Sequence, residues 1–495
     1  MDSLLLLCAR RVIARRRLPP LPADLYPVLF QLAFLDGRPC VLRDLVAAWP
    51  FPVLHVQQLV TRRELLGNHS SMDYVQAIIQ GVVAQLRWEL EEPSRDSSCQ
   101  LRVLDMTGRL DSVSSRTPAG WSRGSGTKAL ATACVAVSRH QEELQRHGVK
   151  RHKGCSGVMT AKAPPQPPGV DVHTDLVVDS SSYGILCDVL QTGADGLLRL
   201  KCREFHPKHI STLEIVTLLD SLDPSCLRRV DLKLKGLADL LVILPYLSRF
   251  PELRSLKLRY SDLDVQHPTS ESAIRIRGMA RQLGMLPSLR ELNLENSSVS
   301  GNLRQILCDL QAPLESLELP YSSLVPDDLA FLSQSFYTLA LKRLDLSGLN
   351  VSQGLLNPLW LLLEKASASL LHLDLSDCHI ADSHLAVLLR TLLRCSRLRF
   401  LALCGNPLST AVLKDLLQKT LELPNLYLVV YPIPLDCHTG DPSEFDSDCF
   451  DESLDQQLLS AAKAEISQLL KNSGRTDLIW TDNPESLEDL DYFSL

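Results

Sequence analysis

Histidine and thiol side chains crowd one stretch of the sequence, "HQEELQRHGVKRHKGC", which brings His140, His147, His152 and Cys155 close together. Such groups are the ligands of zinc, but this spacing matches no ordinary zinc module, and the segment is basic and loop-like. Asp446, Asp448 and Asp451 set three carboxylates near one another. They lack the glycine and the distal glutamate that a calcium loop requires. The chain has neither the G-x-x-x-x-G-K-[ST] signature of a phosphate cradle nor the G-x-S-x-G turn that presents a nucleophilic serine. No catalytic residue, metal ligand or cofactor is therefore expected, and the protein reads as a binder rather than an enzyme.

Binding draws on apolar spacing. Read as a helix, residues 3–12 place Leu4, Cys8 and Val12 at i, i+4 and i+8, a narrow stripe preceded by the small Ser3. A projecting Leu4 entering a pocket would contribute roughly 1.5 to 3 kcal/mol by burial, and the small Cys8 would let a partner approach closely. Just downstream, "LPADLYPVL" sets Leu21, Pro22, Leu25 and Leu29 in the order Φ-P-x-x-Φ-x-x-x-Φ. Both sets would serve equally to pack against the cap of a larger fold, because apolar helical stripes are usually core. Arg10, Arg11, Arg15, Arg16 and Arg17 read as a solvated helix face, with a nuclear signal as the alternative. A secretory leader is not expected, since the basic cluster follows the short apolar run instead of preceding it.

Composition narrows the class. The 495 residues carry 51 Lys plus Arg against 58 Asp plus Glu, a net charge of −7, so no global basic field recruits nucleic acid or an anionic membrane. The 14 cysteines are scattered without a C-x-x-C pair, the usage of a reducing compartment. No apolar run is long enough for a transmembrane helix. These features predict a cytoplasmic protein, with the nucleus as a second location, whose partners are proteins.

What must position any binding surface is a repeat. Alignment on L-x-x-L-x-L gives "LRRVDLKLKGL" from Leu227, "LRSLKLRYSDL" from Leu253, "LRELNLENSSV" from Leu289 and "LESLELPYSSL" from Leu314. It continues with "LKRLDLSGLNV" from Leu341, "LLHLDLSDCHI" from Leu370, "LRFLALCGNPL" from Leu398 and "NLYLVVYPIPL" from Asn425, at spacings of 26, 36, 25, 27, 29, 28 and 27 residues. Two weaker copies precede them, around Leu176/Val178 and Leu198/Leu200. The x-L-x-L core alternates as a strand does, and "LADLLVILPYLSRF" then switches to helical spacing, so each unit is a strand plus a helix. One unit cannot bury both apolar faces alone, whereas stacked units share a continuous core. The expected fold is α/β, a leucine-rich-repeat solenoid with parallel strands on a concave face, helices on the convex face and a helical N-terminal cap. The turn position that favours Asn or Cys keeps Cys378 and Asn406, while Ser261, Ser297 and Ser322 predict looser turns.

The remaining segments divide the chain as 1–100, a helical N-terminal region; 101–169, a first strand or cap with flexible loops; 170–435, the array; and 436–495, an acidic loop and C-terminal helix. "SVSSRTPAGWSRGSGTK", "VKRHKGCSGVMTAKAPPQPPG" and the insertion "DVQHPTSESAIRIRG" read as loops. Along the concave face, the alignment turns outward Lys233, Lys257 and Arg259 on early strands and Glu295, Glu318, Asp345 and Asp374 on middle ones. Tyr260 and Tyr321 follow as candidate anchors. This two-signed strip is expected to bind a protein segment of complementary charge order, the alternative being a merely solvated strand face.

"LPADLYPVLFQLAF", "AAWPFPVL" and "LRVLDMTG", ahead of a leucine-rich array, resemble the PRAME family across essentially the whole chain. The first stripe also resembles a BC box, by which substrate receptors grip Elongin C, and the Φ-P-x-x-Φ-x-x-x-Φ set resembles a cullin box for cullin-2. The resemblance implies a non-enzymatic substrate-recognition subunit of a cullin-2 RING ubiquitin ligase joined through Elongin B and Elongin C, with negative regulation of transcription or signalling as the outcome. Leu4, Cys8 and Val12 would then contact Elongin C, and Leu21, Pro22, Leu25 and Leu29 would favour cullin-2. A repeat scaffold or sequestering inhibitor without ubiquitin transfer is the other reading.

Overall fold

The computed structural model describes residues 4–14, 21–60, 71–91, 99–108, 125–152, 169–192, 196–260, 270–296, 300–351, 354–438 and 454–482. It divides into two compact units, Met1–Val230 and Asp231–Leu495. Asp446, Asp448 and Asp451 lie outside the described residues, as do Cys155, Ser261 and Ser297.

The first unit opens with helices α1 (Leu4–Ile13), α2 (Tyr26–Leu35) and α3 (Pro39–Ala47). Prolines near the starts of α2 and α3 fall where a missing N–H costs nothing. Their shared core is aromatic. Trp49 is buried with Tyr26, Phe30 and Phe51 edge-on around it at 5.8 to 6.0 Å, and its indole N–H donates to the Val53 carbonyl at 3.1 Å. Strand β1 (Val53–His55) then pairs in parallel with β2 (Val103–Asp105), β2 with β3 (Val170–Val178) and β3 with β4 (Leu198–Pro207). Helices of 71–91 and 125–152 and the shorter Ser180–Thr192 and Thr212–Ser221 alternate with these strands. The sequence reading placed no strand before Leu101. Pro50 and Pro52 break the helix there, and the three residues beyond them pair as β1.

The second unit repeats strand and helix. Strand β5 (Arg229–Leu234) crosses the division, and β6 (Ser255–Tyr260), β7 (Glu291–Glu295), β8 (Ser316–Glu318), β9 (Arg343–Asp345), β10 (His372–Asp374), β11 (Phe400–Ala402) and β12 (Leu428–Val430) follow. From β6 to β12 each strand pairs in parallel with the next, and β12 also pairs with β13 (Ile479–Thr481), a strand the repeat alignment did not reach. Register keeps equivalent leucines level: Leu317, Leu344, Leu373 and Leu401 are successive partners, all buried. A strand is present in each of the eight aligned copies, but the last is shifted by one residue: Leu401 pairs with Val429, so that copy begins at Leu426 and not at Asn425. The fold is an α/β leucine-rich-repeat solenoid.

Two expected loops are partly helical. Ser270–Leu283 is a helix because Ile276, Met279, Ala280 and Leu283 form one buried stripe at i, i+3, i+4 and i+7. Likewise Ser125–His152 is one long helix, so His140, His147 and His152 lie on it and not in a loop. His140 Nε2 sits 3.2 Å from Glu91 Oε1, a contact between two helices.

Candidate interaction surfaces

Helix α1 has two apolar edges, and only one is covered. Ala9 and Ile13 are buried, and Arg10 lies 3.8 Å from Asp36, just beyond the end of α2. Leu4 is 77% exposed, Leu5 and Leu7 are more than half exposed, and Cys8 is also exposed, while Val12 is half-buried. Four leucines in a row make the first turn apolar all round, so the sequence did not distinguish the two edges there. Contiguous exposed leucines are costly to leave in water and mark contact sites.

The second motif splits. Leu21 and Leu25 are half-buried and Pro22 is exposed at the edge of a short 3-10 turn, Ala23–Leu25. Leu29 is 1% exposed inside the aromatic core of the first unit. Its assignment as a partner contact is therefore corrected. It faces the core because it lies on the face of α2 that also buries Leu32 and Ala33, three and four residues on.

In the second unit the strand register assembles the concave row. Lys257 pairs with Asn293, Asn293 with Glu318, Glu318 with Asp345, and Asp345 with Asp374. The basic end is already neutralised: Arg259 makes a two-pronged contact with Asp231 at 2.8 and 3.1 Å, and Lys257 lies 3.7 Å from Glu295. Lys233 is exposed beside them. Tyr260 does not serve as an exposed anchor. It is buried, continuing the inward alternation of Leu256 and Leu258, a signal that was present in the sequence. Tyr321 is 55% exposed, and its hydroxyl donates to Asp377 Oδ2 at 2.7 Å.

The acidic middle is less compensated. Arg343 lies 3.6 Å from Glu318, whereas no cation among the described residues comes within ion-pair distance of Asp345 or Asp374. Asp345 Oδ1 accepts from the Ser347 N–H at 2.9 Å and hydroxyl at 2.7 Å, and Asp374 Oδ1 accepts from the Ser376 N–H at 2.9 Å. Burial first, then the charge of Asp374, pushes the Asp345 carboxyl up to about 6; burial also raises Asp374. A carboxyl raised in the folded state is protonated more readily there than in the unfolded chain. Its charge therefore costs stability above about pH 6, a cost that fades as pH falls towards the unfolded range near 4. Asp345→Asn is accordingly expected to stabilise the protein by about 1 to 2 kcal/mol at pH 7.5. The gain should close on acidification, as read by thermal denaturation across pH; a gain independent of pH would contradict this origin.

A second column was not foreseen. Asn296, Tyr321, Gly348, Asp377 and Gly405 all have positive φ, between 53° and 76°, at the same place after consecutive strands. Each stands seven residues after the first leucine of its copy, so Gly, Asn and Asp at that spacing were the available signal.

Residues 6–107 match the PRAME N-terminal domain and residues 181–482 the PRAME C-terminal domain. The chain belongs to the PRAME family. Among PRAME relatives and near relatives, it is 40% identical to leucine-rich repeat-containing protein 14 of Xenopus laevis and 39% identical to that of Homo sapiens, over 100% of both chains in each case. PRAME family member 12 of Homo sapiens is 30% identical over 86% of this chain and 82% of its own. Solved structures with similar architecture include a leucine-rich repeat-containing protein, LegL7, from Legionella pneumophila (TM-score 0.36, 16% identity, 62% of this chain and 99% of that one). They also include the Rad7 and Elc1 complex in yeast (TM-score 0.44, 13% identity, 97% of this chain and 93% of that one). No described helix is long and apolar enough to cross a membrane.

Proposed function

We propose that this PRAME-family chain is a non-catalytic substrate-recognition adaptor of a cullin-2 RING ubiquitin ligase, docking through Elongin B and Elongin C. The observation that carries the reading is the uncovered edge of α1. Ala9 and Ile13 hold the helix on its own unit, which leaves Leu4 and Cys8 exposed at the spacing of a BC box. Leu21, Pro22 and Leu25, partly exposed, follow as a cullin-2 contact, with Leu29 supporting them from the core. The repeat surface would then hold the protein to be ubiquitinated, and negative regulation of transcription or signalling would follow from its removal. This requires a cytoplasmic or nuclear location.

The test is affinity recovery of Elongin B/C and cullin-2 by the full-length chain and by Leu4→Ala/Cys8→Ala, with Leu213→Ala as control because Leu213 is equally exposed elsewhere on the first unit. Losing Leu4 burial alone predicts at least a tenfold drop, since roughly 1.5 to 3 kcal/mol is at stake. Pro22→Ala should reduce cullin-2 while Elongin C is retained. If the folded wild type recovers none of the three, the adaptor reading fails and a repeat scaffold that sequesters its partner takes its place.

A further inference from the structure

We infer that the concave row around Asn293, Glu318, Asp345 and Asp374 recognises an extended segment bearing arginine or lysine at alternate positions. The inference rests on the adaptor reading for its biological setting, and names the class of protein segment such an adaptor would hold. Three carboxylates stand directly opposite one another on β8, β9 and β10, which register makes unavoidable. Strands lie about 4.8 Å apart, and like charges so placed repel. Elsewhere in the same unit the sheet resolves the problem with its own cations, as Arg259 does for Asp231. Among the described residues it does so here only for Glu318, through Arg343.

Asn293 supplies an independent sign of a missing donor. It is 6% exposed, its Nδ2 donates to Glu318 Oε2 at 2.6 Å, and its Oδ1 is buried with no hydrogen-bond partner among the described residues. The amide cannot usefully turn over, because a carboxylate only accepts. An unpaired acceptor beside a carboxylate, at the head of a row of two more, asks for a group with several N–H donors and a positive charge. A guanidinium fits both demands. The exposed ring of Tyr321, held by Asp377, adds an aromatic face on which a second cation can rest. Alternate residues of an extended peptide are about 6.8 Å apart, so three such side chains span about 14 Å, the length of the row across four strands from Asn293 to Asp374.

The experiment uses the full-length chain and a fluorescein-labelled nonapeptide with arginine at its third, fifth and seventh positions and glycine or serine elsewhere, followed by fluorescence anisotropy at physiological salt. A glutamate-substituted peptide is the control. The expected result is binding of the arginine peptide only, weakened roughly tenfold by Asp345→Asn/Asp374→Asn. That variant removes repulsion, so it should fold, and it should recover Elongin B/C as wild type does. Binding undiminished in the variant would assign the attraction to the overall negative charge and overturn the inference. No binding by the wild type would overturn it too. Peptide binding by a chain that recovers no Elongin B/C would sink the adaptor reading alone.

Discussion

Asn406→Ala is expected to cost about 3 to 5 kcal/mol of stability, one of the largest effects of any single polar substitution in the array. The side chain is buried and joins two consecutive repeats. Its Oδ1 accepts from the backbone N–H groups of Cys378 at 3.1 Å and Ile380 at 2.9 Å. Its Nδ2 donates to the carbonyls of Leu375 and Leu403, both at 2.8 Å. Alanine removes all of these bonds, and each orphaned buried group costs about 1 to 3 kcal/mol before relaxation. Ser322 occupies the equivalent position one short side chain poorer. Its hydroxyl donates to the Leu294 carbonyl at 2.8 Å, and a hydroxyl has a single proton to give where an amide has two, so Ser322→Ala should cost only about 1 kcal/mol. Guanidinium unfolding of both variants measures the contrast. Equal losses would mean that the asparagine does not hold the turn.

That comparison shows why the array was legible and why its details were not. The strands were readable because apolar residues, mostly leucine, repeat at the same offsets through the first seven copies, and only one face of a strand can be buried at a time. Strands β1 and β13 escaped because a three-residue strand without the leucine pattern, flanked in β1 by Pro50 and Pro52, leaves no period to detect. At the N-terminus, Leu4 and Leu29 look alike in sequence. They end 77% and 1% exposed because what covers each depends on Ala9, Ile13 and the cluster around Trp49, which are contacts of tertiary structure. Side-chain pairing was equally hidden: Arg259 and Lys257 looked available until register placed Asp231 and Glu295 beside them.

The column of positive-φ residues carries the second large effect. At Gly348, φ is +76°, and a Cβ would stand 2.4 Å from Tyr321 Cδ1 and 3.1 Å from its Cα. The ring thus occupies the space that Gly348 leaves empty, on its way to Asp377 in the repeat beyond. Gly348→Ala therefore meets two costs at once, a left-handed backbone with a side chain and an overlap that the Tyr321 backbone cannot escape. Together these predict a loss of about 2 to 4 kcal/mol and displacement of the ring. Tyr321 is itself a bulky residue at φ 54°, a conformation that costs roughly 1 to 2 kcal/mol without compensation. Asn296, in the equivalent place, shows what the fold prefers where no ring is needed. Tyr321→Asn should consequently leave stability within about 1 kcal/mol of wild type, relieved strain offsetting the lost bond. It should nevertheless weaken the arginine peptide severalfold. A strongly destabilised Tyr321→Asn protein would make the ring a structural brace, whereas a stable variant that binds less well would explain why a strained aromatic residue stands at that turn.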